Sequence, residues 1–256
     1  MNLNSEVLGK GENSLLMLHG WGHSLEEMRP LAEILAADFQ VHLIDLPGFG
    51  KSEAPSFAWG TKDFAQALVN YMDQKKIHKA SVLGHSFGGR IAIRLASESP
   101  ERISGLILIN SSGIKHTLSF RRKLKRTWVS TLRTLIRFAD KLFAKNWYGR
   151  FFIPTFASPD FKNAGPLKDT FVRIVNEDLS REASKIKTPC FLLWGEKDTE
   201  TPLQMGEHLH KLISGSIIKV LPDLGHNMHL NAGANVCAYH LRPFLLSLLT
   251  KGEGNA

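Results

Sequence analysis

The sequence predicts an α/β fold, a doubly wound and mostly parallel sheet interrupted by one inserted helical segment. Three observations predict it: short apolar runs recur along the chain, amphipathic stretches of helical period separate them, and one interval of about seventy-five residues has no such run. Continuous runs of this length suit strands buried on both faces of a parallel sheet. Strands alternating with helices imply the right-handed crossovers of that architecture.

The elements follow in order. The apolar runs are LLMLH (15–19), VHLID (41–45), ASVLGH (80–85), LILIN (106–110), CFLLWG (190–195) and IIKVL (217–221). Helical patterns occupy 25–37, 61–76, 88–97, 203–213 and 232–249. The gap between the fourth and fifth runs is too long for a connection. It is therefore expected to be an inserted, helical and basic segment at 114–187, with the α/β core formed by 1–113 and 188–256. Within the insertion Phe120, Leu124, Trp128, Leu132, Leu135, Ala139 and Leu142 step by three or four, the period of one helix face. Between them stand Arg121, Arg122, Lys125, Arg126, Arg133, Arg137 and Lys141.

Charge is divided the same way. Residues 115–187 hold 17 Lys/Arg against 6 Asp/Glu, whereas the rest of the chain holds 15 against 18. Such a run either solvates an exposed face or docks an acidic partner, an anionic substrate or a membrane. No nucleic-acid partner is expected, because no recognised module or stacking pattern accompanies the charge. No run reaches the eighteen or so apolar residues of a transmembrane helix. The amino terminus lacks a basic segment followed by an apolar one, so a cytoplasmic protein is expected. The two cysteines, Cys190 and Cys237, read as buried thiols. The eleven histidines are scattered without H-E-x-x-H, so no metal and no other cofactor is expected.

Chemistry centres on GHSFGGR at 84–90. By composition G-x-S-x-G arises accidentally in roughly one chain in ten of this length. Context raises its weight, because an apolar run feeds the turn and a helical pattern leaves it. A serine hydroxyl needs a histidine base, and the histidine needs a carboxylate to fix its tautomer. Asp198 in EKDTETP and His226 in GHNMHL follow later runs, in the chain order Ser86, Asp198, His226. Glu196 and Glu200 are the rival acids and His229 the rival base; His229 reads as a loop or cap-facing residue. The backbone amide of Phe87, next to the nucleophile, and that of Trp21 in HGWGHS are the expected oxyanion donors. His85, Trp21, Phe87 and Trp128 are candidates for the pocket lining.

Taken together, LHGWG, DLPGFGKS, GHSFGG, LLWGEKDTETP and DLGHNMHL resemble the α/β-hydrolase fold superfamily, in its serine esterase and lipase-like branch. The resemblance implies a cap over the active site and a largely structural DLPGFGKS loop. It implies hydrolysis of a carboxylic ester, a small acyl ester, through an acyl-enzyme. Relatives with the same triad are C–C hydrolases, enol-lactonases and carrier-protein ester or thioester hydrolases, and the last would use the basic cap to meet an acidic carrier protein. A non-catalytic binding protein on the same fold is the alternative of a different class. Serine at the elbow argues against dehalogenases and epoxide hydrolases, which use a carboxylate there. The short amino terminus suggests that an edge strand or two are missing.

Overall fold

The computed structural model describes residues 1–115, 120–143, 146–156 and 158–250. Seven strands, β1 (Ser5–Leu8), β2 (Ser14–Leu18), β3 (Gln40–Ile44), β4 (Ala80–His85), β5 (Ile103–Ile109), β6 (Cys190–Gly195) and β7 (Ile217–Leu221), form one sheet in the order β1-β3-β2-β4-β5-β6-β7. Only β1 runs antiparallel, against β3. The core helices are α1 (Arg29–Leu35), α2 (Thr61–Gln74) and α3 (Phe87–Glu98). Between β5 and β6 the described residues form α4 (Phe120–Phe143), α5 (Ile153–Phe156), α6 (Pro159–Asn163), α7 (Lys168–Asn176) and α8 (Ser180–Ala183). The chain closes with α9 (Leu203–Leu212) and α10 (Ala232–Thr250).

Strand alternation divides the core between the two faces of the sheet. Leu16, Leu18, Val82, Leu106, Leu108, Leu192 and Trp194 face one cluster, with α2 and α3. Leu15, Met17, Leu83, Ile107, Ile109, Phe191 and Leu193 face the other, with α1 and α10. Burying each such side chain contributes about 1.5–3 kcal/mol, which is why the central strands carry apolar residues at consecutive positions.

Four details differ from the sequence reading. Residues 5–8 do form an edge strand, added antiparallel. The pattern at 25–37 divides into a 3-10 turn, Leu25–Glu27, and α1, with Pro30 in the first helical turn where its missing N–H breaks no hydrogen bond. β5 starts at Ile103, three residues before its apolar run, because Ile103 and Gly105 pair with the first residues of β4. β7 is not buried on both faces: it ends the sheet, and Ile217 and Lys219 face solvent.

The order of strands places the site. From β2 the chain moves outward to β3, then crosses back to β4 on the other side of β2, so the crevice beyond the carboxyl ends of β2 and β4 is the topological switch point. Its rim holds the 19–22 loop after β2 and the turn after β4. Helices α7 and α8 are clamped to the core beside it. Arg90 donates to the carbonyls of Ile174 and Glu177, and Arg94 pairs with Glu177 at 3.6 Å and Glu182 at 3.0 Å. The Thr61 amide and hydroxyl both donate to the Glu177 carboxylate.

Candidate active site

Ser86 occupies the turn between β4 and α3 with φ +48° and ψ −108°, a conformation that costs a non-glycine residue free energy. Its neighbours are glycines for a steric reason. A Cβ on Gly84 would lie 2.5 Å from the Gly88 backbone, and one on Gly88 would strike the carbonyl of Leu18 on β2. The turn is therefore packed against two strands. Its carbonyl accepts from the Ser112 amide at 3.0 Å and the Arg90 amide at 3.2 Å, and its own amide donates to Ile109. Ser86 faces a cavity of about 610 Å³, whose wall includes Trp21, Phe87, Arg90, Phe171 and Glu200.

Asp198 and His226 come together beside it. His226 Nδ1 lies 2.8 Å from Asp198 Oδ2, and the carboxylate is buried. Asp198 also accepts the amides of Glu200 and Thr201, at 2.8 and 2.9 Å, and the Thr201 hydroxyl lies 2.7 Å away. Burial would raise its pKa, but the hydrogen bonds from His226 and Thr201 outweigh it, so the carboxyl lies below its ordinary value. For His226 burial works downward, and the Asp198 hydrogen bond with the charges of Asp198 and Glu200 carries the imidazole above the ordinary histidine range. No hydrogen bond joins Ser86 Oγ to His226. Instead, His226 Nε2 faces the exposed Glu200 carboxylate at 3.4 Å.

The Phe87 amide opens α3 and belongs to the orphan donors of that helix end. Neither it nor the Trp21 amide meets an acceptor among the described residues. The Trp21 ring packs edge-on against Phe49, Phe87 and Phe171, with centroids 4.9–5.1 Å apart. Trp21 and Phe87 thus line the cavity. His85 does not: at the end of β4 it is buried behind the wall and turned toward Glu27. Trp128 does not line it either, since its side chain is exposed on α4. His229 is fully buried rather than cap-facing.

Five residues that motif reading passed over organise this site. Asn110, at φ +42° just past β5, donates through Nδ2 to the carbonyls of Gly225 and His226 and accepts the Gly195 amide, so one side chain ties the acid and histidine loops. Thr201 braces Asp198. His19 donates Nδ1–H to the Gly20 carbonyl and accepts the Leu46 amide at Nε2, which fixes a neutral tautomer; burial lowers its pKa accordingly. Arg90 presents a guanidinium on the cavity wall. Glu27 accepts the Gly20 amide at 2.6 Å and lies 3.2 Å from His85 and 3.6 Å from His229.

The Glu27 carboxylate therefore reaches the 19–22 loop, the nucleophile turn and the histidine loop at once. Burial opposes its charge, but contacts with His229 and His85 hold the carboxyl well below the usual range. His85 in turn bonds the His226 carbonyl through Nε2 at 3.1 Å. Glu27, His85 and His229 form the one grouping among the described residues with ligand atoms close enough for a metal ion, all within 4.8 Å of one another. Spacing in the sequence could not reveal it, because its members come from three distant parts of the chain, the 3-10 turn at Glu27, the end of β4 at His85 and the histidine loop at His229. The DLPGFGKS loop is tied in by Asp45, which accepts the Leu25 and Lys51 amides and the Asn4 side chain.

Comparison with known proteins agrees with this architecture. Residues 13–160, more than half of the chain, match the family model for the alpha/beta hydrolase fold. The chain is 27% identical to the uncharacterized hydrolase YugF of Bacillus subtilis over 231 residues, 84% of each protein. It is 28% identical to a putative 2-succinyl-6-hydroxy-2,4-cyclohexadiene-1-carboxylate synthase of the same organism over 247 residues, 88% of each. The enol-lactonase of Burkholderia xenovorans has a similar fold, with TM-score 0.70, 23% identity, and coverage of 97% of this chain and 96% of that one. The family match, the strand order and the strained serine turn lead to one conclusion: the chain belongs to the α/β-hydrolase fold family.

Proposed function

We propose that the protein is a serine hydrolase that cleaves a carboxylic ester through an acyl-enzyme. The observation that carries this reading is the juxtaposition at the switch-point crevice: a serine in a strained strand-to-helix turn, and a histidine whose Nδ1 is held by a buried carboxylate. Ser86 Oγ attacks the ester carbonyl while His226 Nε2 takes its proton, and Asp198 stabilises the imidazolium. The oxyanion receives the Trp21 and Phe87 amides. His226 returns the proton to the leaving alcohol, leaving Ser86 acylated. Water, deprotonated by His226, then attacks the acyl carbonyl, and the acid departs as Ser86 regains its proton. Glu200 must leave Nε2 before the first transfer, so substrate entry displaces it. No metal or cofactor takes part in these steps, and the 114–187 insertion acts as the cap that bounds the pocket. The two buried, unpaired thiols fit a reducing cytoplasmic setting.

The test is a p-nitrophenyl acyl series with the wild type and Ser86→Ala, together with labelling by a fluorophosphonate. Turnover and labelling that both vanish in the variant support the reading, whereas absence of both from the folded wild type refutes it.

A second reading keeps the triad and changes the substrate to one bearing a carboxylate. Arg90 favours it, being a buried guanidinium on the cavity wall, and one relative is named for a carboxylate product. Burial lowers the Arg90 pKa to about 10, so it stays charged at neutral pH. Preference for an acidic over a neutral ester of equal size, lost in Arg90→Met, would decide for it.

A further inference from the structure

The 24-residue helix α4 extends roughly 36 Å at 1.5 Å per residue and, among the described residues, packs chiefly against the turn at Tyr148–Phe152. Asp140 accepts the Trp147 and Tyr148 amides, and the Arg137 guanidinium lies 5.2 Å above the Tyr148 ring, so helix and turn form one unit. That unit exposes what proteins normally bury. Trp128, Leu135, Phe138, Leu142, Phe143, Trp147 and Phe151 are between 41 and 66% exposed. Trp128, Leu135, Phe138 and Leu142 are spaced seven, three and four apart, which places them on one stripe of the helix. Among the described residues, both exposed tryptophans and three of the four exposed phenylalanines belong to this unit. Together the seven side chains present an apolar surface of roughly 600 Å² or more, at the upper end of what a soluble monomer shows.

Cations adjoin the stripe on one side. Residues 121–150 contain ten Lys/Arg and a single acid, Asp140. On the described part of α4, Arg133, Arg137 and Lys141 are exposed and follow one another at intervals of four, a row on the next sector of the helix that meets the apolar stripe where Lys141 neighbours Phe138. A second copy of the same surface would bring like charge against like. A nucleic acid would meet the cations but leave Leu135 and Leu142 wetted. A plane with anionic headgroups above and hydrocarbon below matches both features, with the aromatic rings at the boundary.

We propose that α4 and the Tyr148–Phe152 turn form a docking face for an anionic lipid bilayer, with the apolar stripe entering the headgroup boundary and the cation row contacting the headgroups. This docking does not depend on the ester-hydrolase reading, and binding can be scored in Ser86→Ala protein while turnover of a soluble ester scores the chemistry separately.

The experiment is co-sedimentation of the full chain with large vesicles of equimolar phosphatidylglycerol and phosphatidylcholine, or of phosphatidylcholine alone, with tryptophan emission recorded in parallel. Binding is expected to the anionic vesicles, with a blue shift because Trp128 and Trp147 are the exposed indoles. The double variant Phe138→Ser/Leu142→Ser alters exposed positions only. It is expected to weaken binding at least tenfold while circular dichroism stays unchanged. Arg133→Gln/Lys141→Gln should weaken it by about fivefold per charge. Equal partition to neutral and anionic vesicles, binding that ignores the Phe138/Leu142 change, or retention by an acidic protein column but not by vesicles would each overturn the proposal.

Discussion

His226 lies between two carboxylates with different roles. Asp198 is buried and holds Nδ1, whereas Glu200 is exposed and stands at Nε2, which in the proposed mechanism receives the proton of Ser86. Since His226 acts as a base only when neutral, and its pKa lies above the ordinary histidine range, kcat/KM should fall as pH drops through a midpoint above about 6.5. Removing the Glu200 charge in Glu200→Gln lowers that pKa. The acidic limb should then move toward lower pH, and only slightly because solvent screens an exposed group. A pH–rate profile checks this, and a limb that stays or moves upward contradicts it. Glu27→Gln probes a different quantity. The amide keeps an oxygen for the Gly20 amide but loses the charge facing His85 and His229, so the loop carrying the Trp21 amide relaxes. If the Trp21 amide is the proposed oxyanion donor, kcat should fall about ten- to hundredfold with KM changed far less, because such a donor acts mainly in the transition state. The turn at Ser86 and the loops that bring Asp198 to His226 were legible because each is a contiguous stretch of recognisable composition. Glu27, Asn110 and Thr201 were not, because their partners are set by the fold: Asn110 reaches a carbonyl 115 residues away.

At the scale of elements, the elbow combines two demands that substitutions can separate. Gly88 lies under the Leu18 carbonyl with no room for a methyl group, while Gly22 has φ +78° and open space around its Cβ position. Gly88→Ala should therefore cost about 2–4 kcal/mol, because β2 and α3 must move apart. Gly22→Ala should cost only about 1 kcal/mol, the conformational penalty alone. Urea denaturation of the two variants measures the contrast. Central strands were read from sequence to within a residue or two, apart from the start of β5, because apolar runs bounded by turn residues have few alternatives. The edges were harder. β1 is a four-residue strand with a half-exposed pattern, and β7 carries a run that reads as buried although its edge position leaves one side open. Neighbours in the sheet, which a local pattern does not encode, decide such cases.

For the whole molecule, sequence periodicity announced α4 but not what it faces, because a helix stripe of the same period may be packed or bare. The described insertion is joined to the core unevenly, and this has a measurable consequence. α7 and α8 are fastened by Arg90, Arg94, Thr61 and Glu177, and Arg173 donates to the Ala58 carbonyl. α4 packs chiefly on the neighbouring turn and exposes Arg133, Arg137 and Lys141, each a trypsin site. Local opening free energies follow the density of buried contacts, so α4 should open well below the global unfolding free energy. Limited trypsinolysis under native conditions should then cut first within 121–150 and leave two fragments, one carrying β1–β5 and the other carrying α7 through α10. Arg173 and Arg181 should resist until the core unfolds, since Arg173 is anchored and α8 is held through Glu182 and Arg94. Mass spectrometry of the early fragments decides the matter: first cleavage at Arg173 or Arg181 would mean that the clamp around Glu177 is weaker than its geometry implies. Glu177→Ala provides the internal check. Without that carboxylate the Thr61 amide and the Arg94 guanidinium lose their shared partner, and cleavage at Arg173 should become competitive with cleavage in α4.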